Sequence, residues 1–276
     1  MKNIISFQNK VVAVTGGASG IGAALCRRFG REGARIAVID MDRKRVAAQV
    51  GELEAAGIDA AGFTCDVSRQ VECEVVMEEI IRLWGGIDVL AANAGITQRS
   101  PFLQTELSVY RRVMDVNFFG ALYCAHAAIK SLIERRGLIL VTSSLAGFSP
   151  LIGRTGYSAS KHALHGLFES LRTEVKPLGV HVMMVCPGFT KTNLQTRALG
   201  GDGKVTTHPQ STAGKVDSPD SVAEAVFRGA AARKDIVVLT TVGRITYYLH
   251  RLAPALYEKI MAGKLASEID MDAGSH

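Results

Sequence analysis

The chain of 276 residues is 47% hydrophobic and 21% charged, which is typical of a globular protein that buries a large core. Its net charge of +6 comes from basic residues spread along the chain, without an arginine-rich arm, so no nucleic-acid partner is expected. Five scattered cysteines and no cluster of metal-ligating residues argue against a disulfide framework and against a metal site. The N-terminus lacks a signal-peptide pattern and no apolar run suggests a bilayer span, so a cytoplasmic protein is expected.

Short apolar runs alternate with helical stretches along the chain. The runs predict strands at residues 11–15, 35–39, 60–64, 87–92, 137–142, 180–186 and 235–240. Uninterrupted Val, Ile and Leu runs of this length predict a parallel sheet that is covered by helices on both faces. Because no linker or internal repeat interrupts the pattern, residues 1–276 are expected to form a single α/β domain.

A glycine-rich turn follows the first predicted strand and opens a helix. The turn contributes Gly16, Ser19, Gly20, Ile21 and Gly22. A strand that turns through glycines into a helix presents backbone N–H groups and the positive helix end to a pyrophosphate. Asp40 ends the second strand, 18 residues beyond Gly22, near the position of a carboxylate that holds the adenosine ribose. Together these features predict a dinucleotide site.

A second pattern combines a phenol, an ammonium and a hydroxyl. Tyr157 and Lys161 are four residues apart and share a face of a predicted helix, while Ser144 follows the fifth strand. An ammonium beside a phenol stabilises the ionised form and makes the phenol a usable acid and base near neutral pH. This spacing indicates the active site of a carbonyl or alcohol oxidoreductase.

With these motifs in order, residues 8 to 240 resemble the short-chain dehydrogenase/reductase family. The resemblance is carried by the glycine-rich turn and by Asp66-Val67, Asn93-Ala94-Gly95, Asn117, Ser144, Tyr157 with Lys161, and the segment from Pro187 to Thr192. One departure is Ala92, where the family usually has an Asn that supports the sheet. The resemblance implies a Rossmann-type, doubly wound parallel sheet of seven strands, and a homodimer or homotetramer.

The resemblance also implies how the cofactor is held. Asp66 would bind the adenine amino group with Val67 against the ring, although a turn-capping role for Asp66 is the alternative. Asn93, Ala94 and Gly95 would lie along the cofactor ribose. The remaining contacts would come from the turn after the sixth strand, namely Pro187, Gly188, Thr190 and Thr192, which otherwise form only a strand-ending bend.

Catalytic roles follow from the same resemblance. Ser144 would hydrogen-bond the substrate oxygen, Tyr157 would donate or remove its proton, and Lys161 would tune Tyr157 and grip the nicotinamide ribose. Asn117 would distort its helix and complete the proton path. An apolar substrate wall is expected from Leu145, Leu151, Phe189 and Leu194, with residues 193–217 as a mobile lid whose apolar residues, Leu199 among them, could cap the ligand.

The expected cofactor is NAD rather than NADP, because Asp40 would accept the ribose hydroxyls and repel a 2′-phosphate. Arg43, Lys44 and Arg45 argue the other way, since they could attract that phosphate. The expected substrate is an apolar secondary alcohol or ketone of steroid, cyclic or fatty-acyl type. Two alternatives are an NADPH-dependent 3-oxoacyl carrier-protein reductase, and a non-catalytic protein that senses dinucleotides.

Residues 243–264 form an amphipathic extension that is interrupted at Pro254. Three roles are open to this segment: it covers the substrate cleft, joins a subunit interface, or rests on a membrane surface through Arg244, Arg251 and Lys259. Packing against the core or another subunit is the commoner outcome for such a helix, so membrane contact is not the favoured expectation.

Overall fold

Within the part of the chain that the structure describes, the sheet has seven strands, all parallel, in the order β3-β2-β1-β4-β5-β6-β7. The computed structural model describes residues 5–206 and 216–265. The strands are β1 Val11–Thr15, β2 Arg35–Asp40, β3 Ala60–Thr64, β4 Val89–Ala92, β5 Leu138–Thr142, β6 His181–Cys186 and β7 Ile236–Val238. The predicted doubly wound, Rossmann-type sheet is confirmed; eight of the 14 strand ends coincide with the predicted ones and the other six differ by one or two residues.

Helices cover both faces of the sheet. They are α1 Gly20–Gly30, α2 Arg43–Ala55, α3 Gln70–Trp84, α4 Leu107–Met114, α5 Gly120–Glu134, α6 Thr155–Val175, α7 Asn193–Thr196, α8 Pro219–Ala231, α9 Thr241–Leu252 and α10 Pro254–Leu265. Successive strand residues point to opposite faces: Val12 and Val14 pack with α1, α2 and α8, whereas Val11 and Ala13 belong to the cluster beneath α3, α5 and α6. Both faces of the sheet are therefore buried.

The longest apolar helical stretch runs from Leu107 to Glu134 and joins α4 to α5 through a π-helical turn, Asp115–Phe119. By length and composition this stretch could cross a bilayer, so the expectation that no apolar segment is long enough was wrong. Cys124, Ala128 and Leu132 of α5 are nevertheless buried in the core cluster, as in a core helix of a globular fold.

The segment after the sheet bends back over its carboxyl end. β7 ends two residues before Thr240, whose hydroxyl accepts a hydrogen bond from Gly243 N at 2.9 Å and caps α9. The helix stops at Leu252, and α10 begins at Pro254, so the predicted interruption is present. Positions 207–215 of the predicted lid lie outside the described residues.

Candidate active site

A cleft of about 1480 Å³ lies along the carboxyl ends of the strands, where a doubly wound sheet binds its ligands. This volume exceeds the 300–1,000 Å³ or so of an ordinary small-molecule pocket, so the cleft has room for a dinucleotide and a second ligand. Its walls include the predicted cofactor residues Gly16, Ser19, Gly20, Ile21, Asp40, Asp66, Val67, Asn93, Ala94, Gly95, Tyr157, Lys161, Pro187, Gly188, Thr190 and Thr192. They also include the predicted substrate residues Ser144, Leu145, Leu151, Phe189 and Leu194.

The glycine-rich turn depends on the absence of side chains at two positions. Gly16 has a φ of 63°, and a Cβ there would lie 3.0 Å from the Ala94 Cα. A Cβ on Gly22 would lie 2.1 Å from the Gly16 carbonyl oxygen. Gly22 therefore allows the helix to pack against the turn, and it lies behind the cleft wall instead of on it.

Anion binding at the start of α1 fits the local geometry. Ser19 precedes the helix, and within the described residues its side chain makes no capping hydrogen bond to the first turn. Uncapped N–H groups at the end of an 11-residue helix, facing a cleft, are suited to a phosphate. The start of α1 therefore fits a pyrophosphate, whose binding there stays a prediction.

Asn93 ties the ends of three strands together. Its side-chain amide donates to the Thr15 carbonyl at 3.0 Å, and its Oδ1 accepts from the Thr142 hydroxyl at 3.2 Å. The Thr15 hydroxyl in turn accepts from the backbone N–H groups of Asn93 and Ala94. These bonds fix the backbone at Ala94 and Gly95, where the resemblance places the cofactor ribose.

Asp40 faces the cleft together with the basic residues that follow it. Arg43, Lys44 and Arg45 all contribute to the wall. Asp42 begins α2 by accepting hydrogen bonds from two backbone N–H groups, and its carboxylate pairs with the Arg45 guanidinium at 3.0 Å. Arg45 is thus paired with a carboxylate inside the protein. Arg43 and Lys44 line the same cleft as Asp40.

Asp66 caps a turn and also lies in the cleft wall. Its Oδ1 accepts from the Ser68 hydroxyl at 2.7 Å and from the Ser68 N–H at 3.0 Å, which makes it a turn cap. The same residue lies in the cleft wall beside Val67. The turn cap is thus shown, and the contact of Asp66 with an adenine ring stays a prediction.

Tyr157 occupies the first turn of α6 and is 9% exposed. Burial raises the pKa of Tyr157, while a hydrogen bond with Ser144 and the nearby charge of Arg154 act in the opposite direction. The expectation that Lys161 brings this pKa toward neutrality was wrong for the protein without ligand, because burial of the phenol outweighs the charges around it. Ser144 is held in an extended conformation, where its Oγ also accepts from Ala146 N at 3.2 Å. The phenol and the hydroxyl thus meet in the cleft, as the sequence predicted.

Lys161 lies one turn further along α6 and is 3% exposed. Its ammonium donates to the Thr142 carbonyl at 2.7 Å and lies 5.7 Å from the centre of the Tyr157 ring. Burial lowers the pKa of Lys161 from 10.5 to about 8. The lysine can therefore change its protonation state close to neutral pH.

Asn117 sits in the middle of the π-helical turn and is 1% exposed. Its amide donates to the Ile96 carbonyl and to the Ser160 hydroxyl, both at 2.9 Å, and its Oδ1 accepts from Ile96 N at 2.8 Å. The expected helix distortion is present. A Cβ on Gly95 would lie 3.1 Å from Asn117 Oδ1 and 3.6 Å from Lys161 Nζ, so the amide and the ammonium converge behind Gly95.

Three residues of the site were not identified from the sequence. Arg154, 2% exposed, lies in the cleft wall, and its charge acts on Tyr157. Thr142 supplies the carbonyl that holds Lys161, and buried Gln98 accepts a hydrogen bond from Tyr157 N at 3.2 Å. Arg154 could have been identified because it lies only three residues before Tyr157 in the sequence. Gln98 is far from Tyr157 in the sequence, and no local pattern indicates its role.

The described part of the predicted lid divides into two regions. Leu194, in α7, lies in the cleft wall. Leu199, 6% exposed, instead packs with Val109 and Val113, and its backbone bonds to the loop at Thr97 and Arg99. Leu199 was expected to cap the ligand, but these contacts bury it in a separate apolar cluster.

Comparisons with known proteins agree with this architecture. A family model described as short chain dehydrogenase matches residues 10–200. The chain is 36% identical over 269 residues to dehydrogenase/reductase SDR family member 7B of Danio rerio, covering 94% of this chain and 86% of that protein. Identity is 32% to dehydrogenase/reductase SDR family protein 7-like of Drosophila melanogaster, covering 92% of this chain and 79% of that protein.

A solved structure shows the same fold. A short chain dehydrogenase/reductase from Burkholderia phymatum, in complex with NAD, superimposes with a TM-score of 0.81 at 23% identity, over 92% of this chain and 96% of that chain. The motifs, the sheet order and the matched family model point to the same conclusion. The chain belongs to the short-chain dehydrogenase/reductase family and is an oxidoreductase.

Proposed function

We propose that the protein transfers a hydride between NAD(H) and an apolar secondary alcohol or ketone, with Ser144, Tyr157, Lys161 and Asn117 as its catalytic machinery. The observation that carries this proposal is the meeting of the Ser144 hydroxyl and the Tyr157 phenol in a large cleft, with the Lys161 ammonium 5.7 Å from the phenol ring. The cleft is thereby equipped to bind an oxygen atom and to exchange its proton.

The residues present fit a dinucleotide. The uncapped start of α1 would hold the pyrophosphate, Asp40 the adenosine ribose, and Asp66 with Val67 the adenine. When bound, the nicotinamide ring supplies or accepts the hydride. NAD is preferred in this proposal because Asp40 would repel a 2′-phosphate and because Arg45 is already paired with Asp42.

The proton chemistry belongs to the chain itself. In reduction, Ser144 donates a hydrogen bond to the substrate oxygen and Tyr157 delivers the proton; in oxidation Tyr157 accepts it. The raised pKa of Tyr157 keeps the phenol protonated at neutral pH in the protein without ligand, which suits proton donation. Lys161 carries a proton that it can release near neutral pH, and Asn117 fixes the backbone beside it.

An apolar substrate is supported by the wall around Ser144 and Tyr157. Leu145, Leu151, Phe189 and Leu194 all line the cleft that contains Ser144 and Tyr157. Val242 and Met261, from the C-terminal helices, extend the same wall. Burial of such surface favours an apolar ligand by roughly 25 cal/mol per Å², so a steroid, cyclic or fatty-acyl alcohol is expected to bind better than a small polar one.

The proposal is tested by a spectrophotometric panel that follows nicotinamide reduction and oxidation. NAD and NADP are each paired with steroid, cyclic, aliphatic and β-hydroxyacyl alcohols and with the matching ketones. We expect NAD-linked turnover of at least one apolar pair. Binding of the dinucleotide without turnover of any pair in either direction would contradict the proposed reaction.

Replacement of Asp40 by Ser tests the cofactor assignment. We expect kcat/KM with NAD to fall by roughly 10- to 100-fold, because a charged hydrogen bond contributes about 1.5–3 kcal/mol, and kcat/KM with NADP to rise. Asp59→Ser is the matched control, since Asp59 is exposed and pairs with Arg35 away from the cleft. Equal or better kinetics of the unmodified protein with NADP would contradict the NAD preference.

Replacement of Arg154 by Gln tests its action on Tyr157. The positive charge of Arg154 lowers the pKa of Tyr157, so its removal is expected to raise that pKa further. Oxidation needs the ionised phenol, so the rising limb of the pH profile for kcat/KM should move to higher pH. Arg154→Lys keeps the charge and should leave the limb near its original position. An unchanged profile in a folded Arg154→Gln protein would show that Arg154 has only a structural role.

A further inference from the structure

The outward surface of α9 and α10 exposes an unusual amount of apolar side chain. Exposed fractions are 59% for Ile245, 63% for Tyr248 and 83% for Leu252 on α9, and 51% for Leu256 and 42% for Ile260 on α10. These five residues are called the apolar stripe. At 3.6 residues per turn the three on α9 fall on one side of the helix. Large apolar side chains that are exposed on the same side of a helix suggest an interaction site.

The orientation of α9 is fixed by contacts on its other side. Gly243 packs so closely on Leu145 that a Cβ there would lie 2.8 Å from the leucine side chain. The ring of Tyr247 meets Phe148 edge to face, with 5.0 Å between the ring centres. In α10, the Tyr257 hydroxyl donates to the Pro150 carbonyl at 3.2 Å. The helices are therefore anchored through one side, which directs the apolar stripe away from the core.

Positive charge accompanies the apolar stripe. Residues 241–265 contain Arg244, Arg251, Lys259 and Lys264 but a single acidic residue, Glu258. Arg244 and Arg251 fall next to Tyr248 around the helix, and the Arg251 guanidinium lies 3.8 Å above the Tyr247 ring. An apolar face bordered by Arg and Tyr is complementary to the boundary between acyl chains and anionic headgroups.

The same charges argue against a second copy as the occupant. A twofold contact through the apolar stripe would bring the basic borders of both copies together, and like charges in close contact oppose association. The chain as a whole has a net charge of +6, so long-range electrostatics also favour an anionic surface over self-association.

The cleft lies directly behind the apolar stripe. Thr246 of α9 and Tyr257 and Met261 of α10 face the cleft, while Ile245 and Leu252 are directed outward. A bilayer in contact with the outward side would therefore be separated from the substrate cleft by the thickness of one helix layer. Docking there would bring an apolar substrate dissolved in lipid close to the cleft.

We propose that the outward surface of α9 and α10 docks on an anionic phospholipid bilayer, with the apolar stripe at the acyl boundary and Arg244 and Arg251 at the lipid phosphates. Entry of substrate from the lipid rests on the proposed function, because it requires an apolar substrate. Docking itself does not depend on catalysis.

The test is flotation of the full-length protein with vesicles of phosphatidylcholine alone or mixed with phosphatidylserine. We expect the protein to float with the anionic vesicles and to be released by salt. The double variant Ile245→Ser, Leu252→Ser should lower the partition coefficient by roughly tenfold or more, because it removes two inserted side chains. Arg244→Gln should weaken flotation on anionic vesicles only.

The matched control is the double variant Leu103→Ser, Leu107→Ser, whose leucines are 85% and 77% exposed elsewhere on the surface. It should float like the unmodified protein, as should Tyr157→Phe, which separates docking from catalysis. Thermal unfolding verifies that each variant is folded. Absence of flotation, or flotation that the Ile245→Ser, Leu252→Ser variant retains, would overturn the proposal. A dimer that this variant dissociates, without vesicle binding, would assign the apolar stripe to self-association and overturn it too.

Discussion

Replacement of Tyr157 by Phe is expected to lower kcat/KM by roughly 10²–10⁴-fold, the usual contribution of a positioned acid or base. The substitution removes one oxygen atom from a side chain that is 9% exposed and keeps the ring that packs in the cleft. Binding of the dinucleotide, followed by fluorescence quenching or calorimetry, should change little. Steady-state assays in both directions measure the effect. We expect kcat to fall and KM to change little.

Tyr110→Phe is the matched control. The Tyr110 hydroxyl is within 2.8 Å of the Thr155 hydroxyl at the start of the same helix, so this variant also loses one tyrosine hydrogen bond close to α6. Its activity should stay near that of the unmodified protein. If Tyr157→Phe retained full activity, the proton would have to come from another group, and the role given to Tyr157 would be wrong.

Replacement of Lys161 by Met is expected to abolish most activity and yet to stabilise the protein without ligand at pH 7. The shift of the Lys161 pKa from 10.5 to about 8 corresponds to a destabilisation of the folded protein by roughly 3 kcal/mol, which is the cost of burying the ammonium. Loss of the bond to the Thr142 carbonyl offsets about 1 kcal/mol of this. The net gain in the free energy of unfolding should therefore be roughly 1–3 kcal/mol.

The gain should depend on pH in a defined direction. Below about pH 8 the folded and unfolded chains both carry the charged lysine, and only the folded chain bears its desolvation cost. Between about 8 and 10.5 the folded protein has released the proton while the unfolded chain retains it, so the unmodified protein gains stability as the pH rises. The difference between the two proteins should shrink through this window.

Denaturant unfolding at several pH values measures this difference. Lys130→Met, at an exposed position of α5, should change neither stability nor activity appreciably. A Lys161→Met protein that is less stable than the unmodified one at pH 7 would show that the ammonium makes stronger compensating contacts than the Thr142 bond.

Much of the site could be predicted because its residues occur in a fixed order at the ends of strands. Asp40, Asn93 and Ser144 each follow a buried strand, and parallel strands bring such ends to one edge of the sheet. Tyr157 and Lys161 were placed on one face by the helical period alone. Local pattern and the parallel topology therefore determined the positions of the main polar groups.

The less successful predictions concerned contacts between distant segments. Leu199 was expected over the ligand, but the backbone of Thr97 and Arg99 draws it into a cluster with Val109. Asp66 was given two alternative roles, and the structure shows the turn cap and the cleft position together because Ser68 lies within reach. A sequence pattern does not encode which of two loops an apolar residue will meet.

By itself, the sequence determined the seven-stranded parallel sheet, the glycine-rich turn and the placement of Tyr157 and Lys161 on one helix face, because strand period, helical period and glycine placement are properties of neighbouring residues. Only the tertiary structure decided that the positive charge of Arg154 lies near Tyr157. It also decided that α9 packs on the core through Gly243 and Tyr247. It also decided that the apolar stripe faces outward. These outcomes follow from packing between segments far apart in the chain, where burial of one helix face leaves the opposite face exposed.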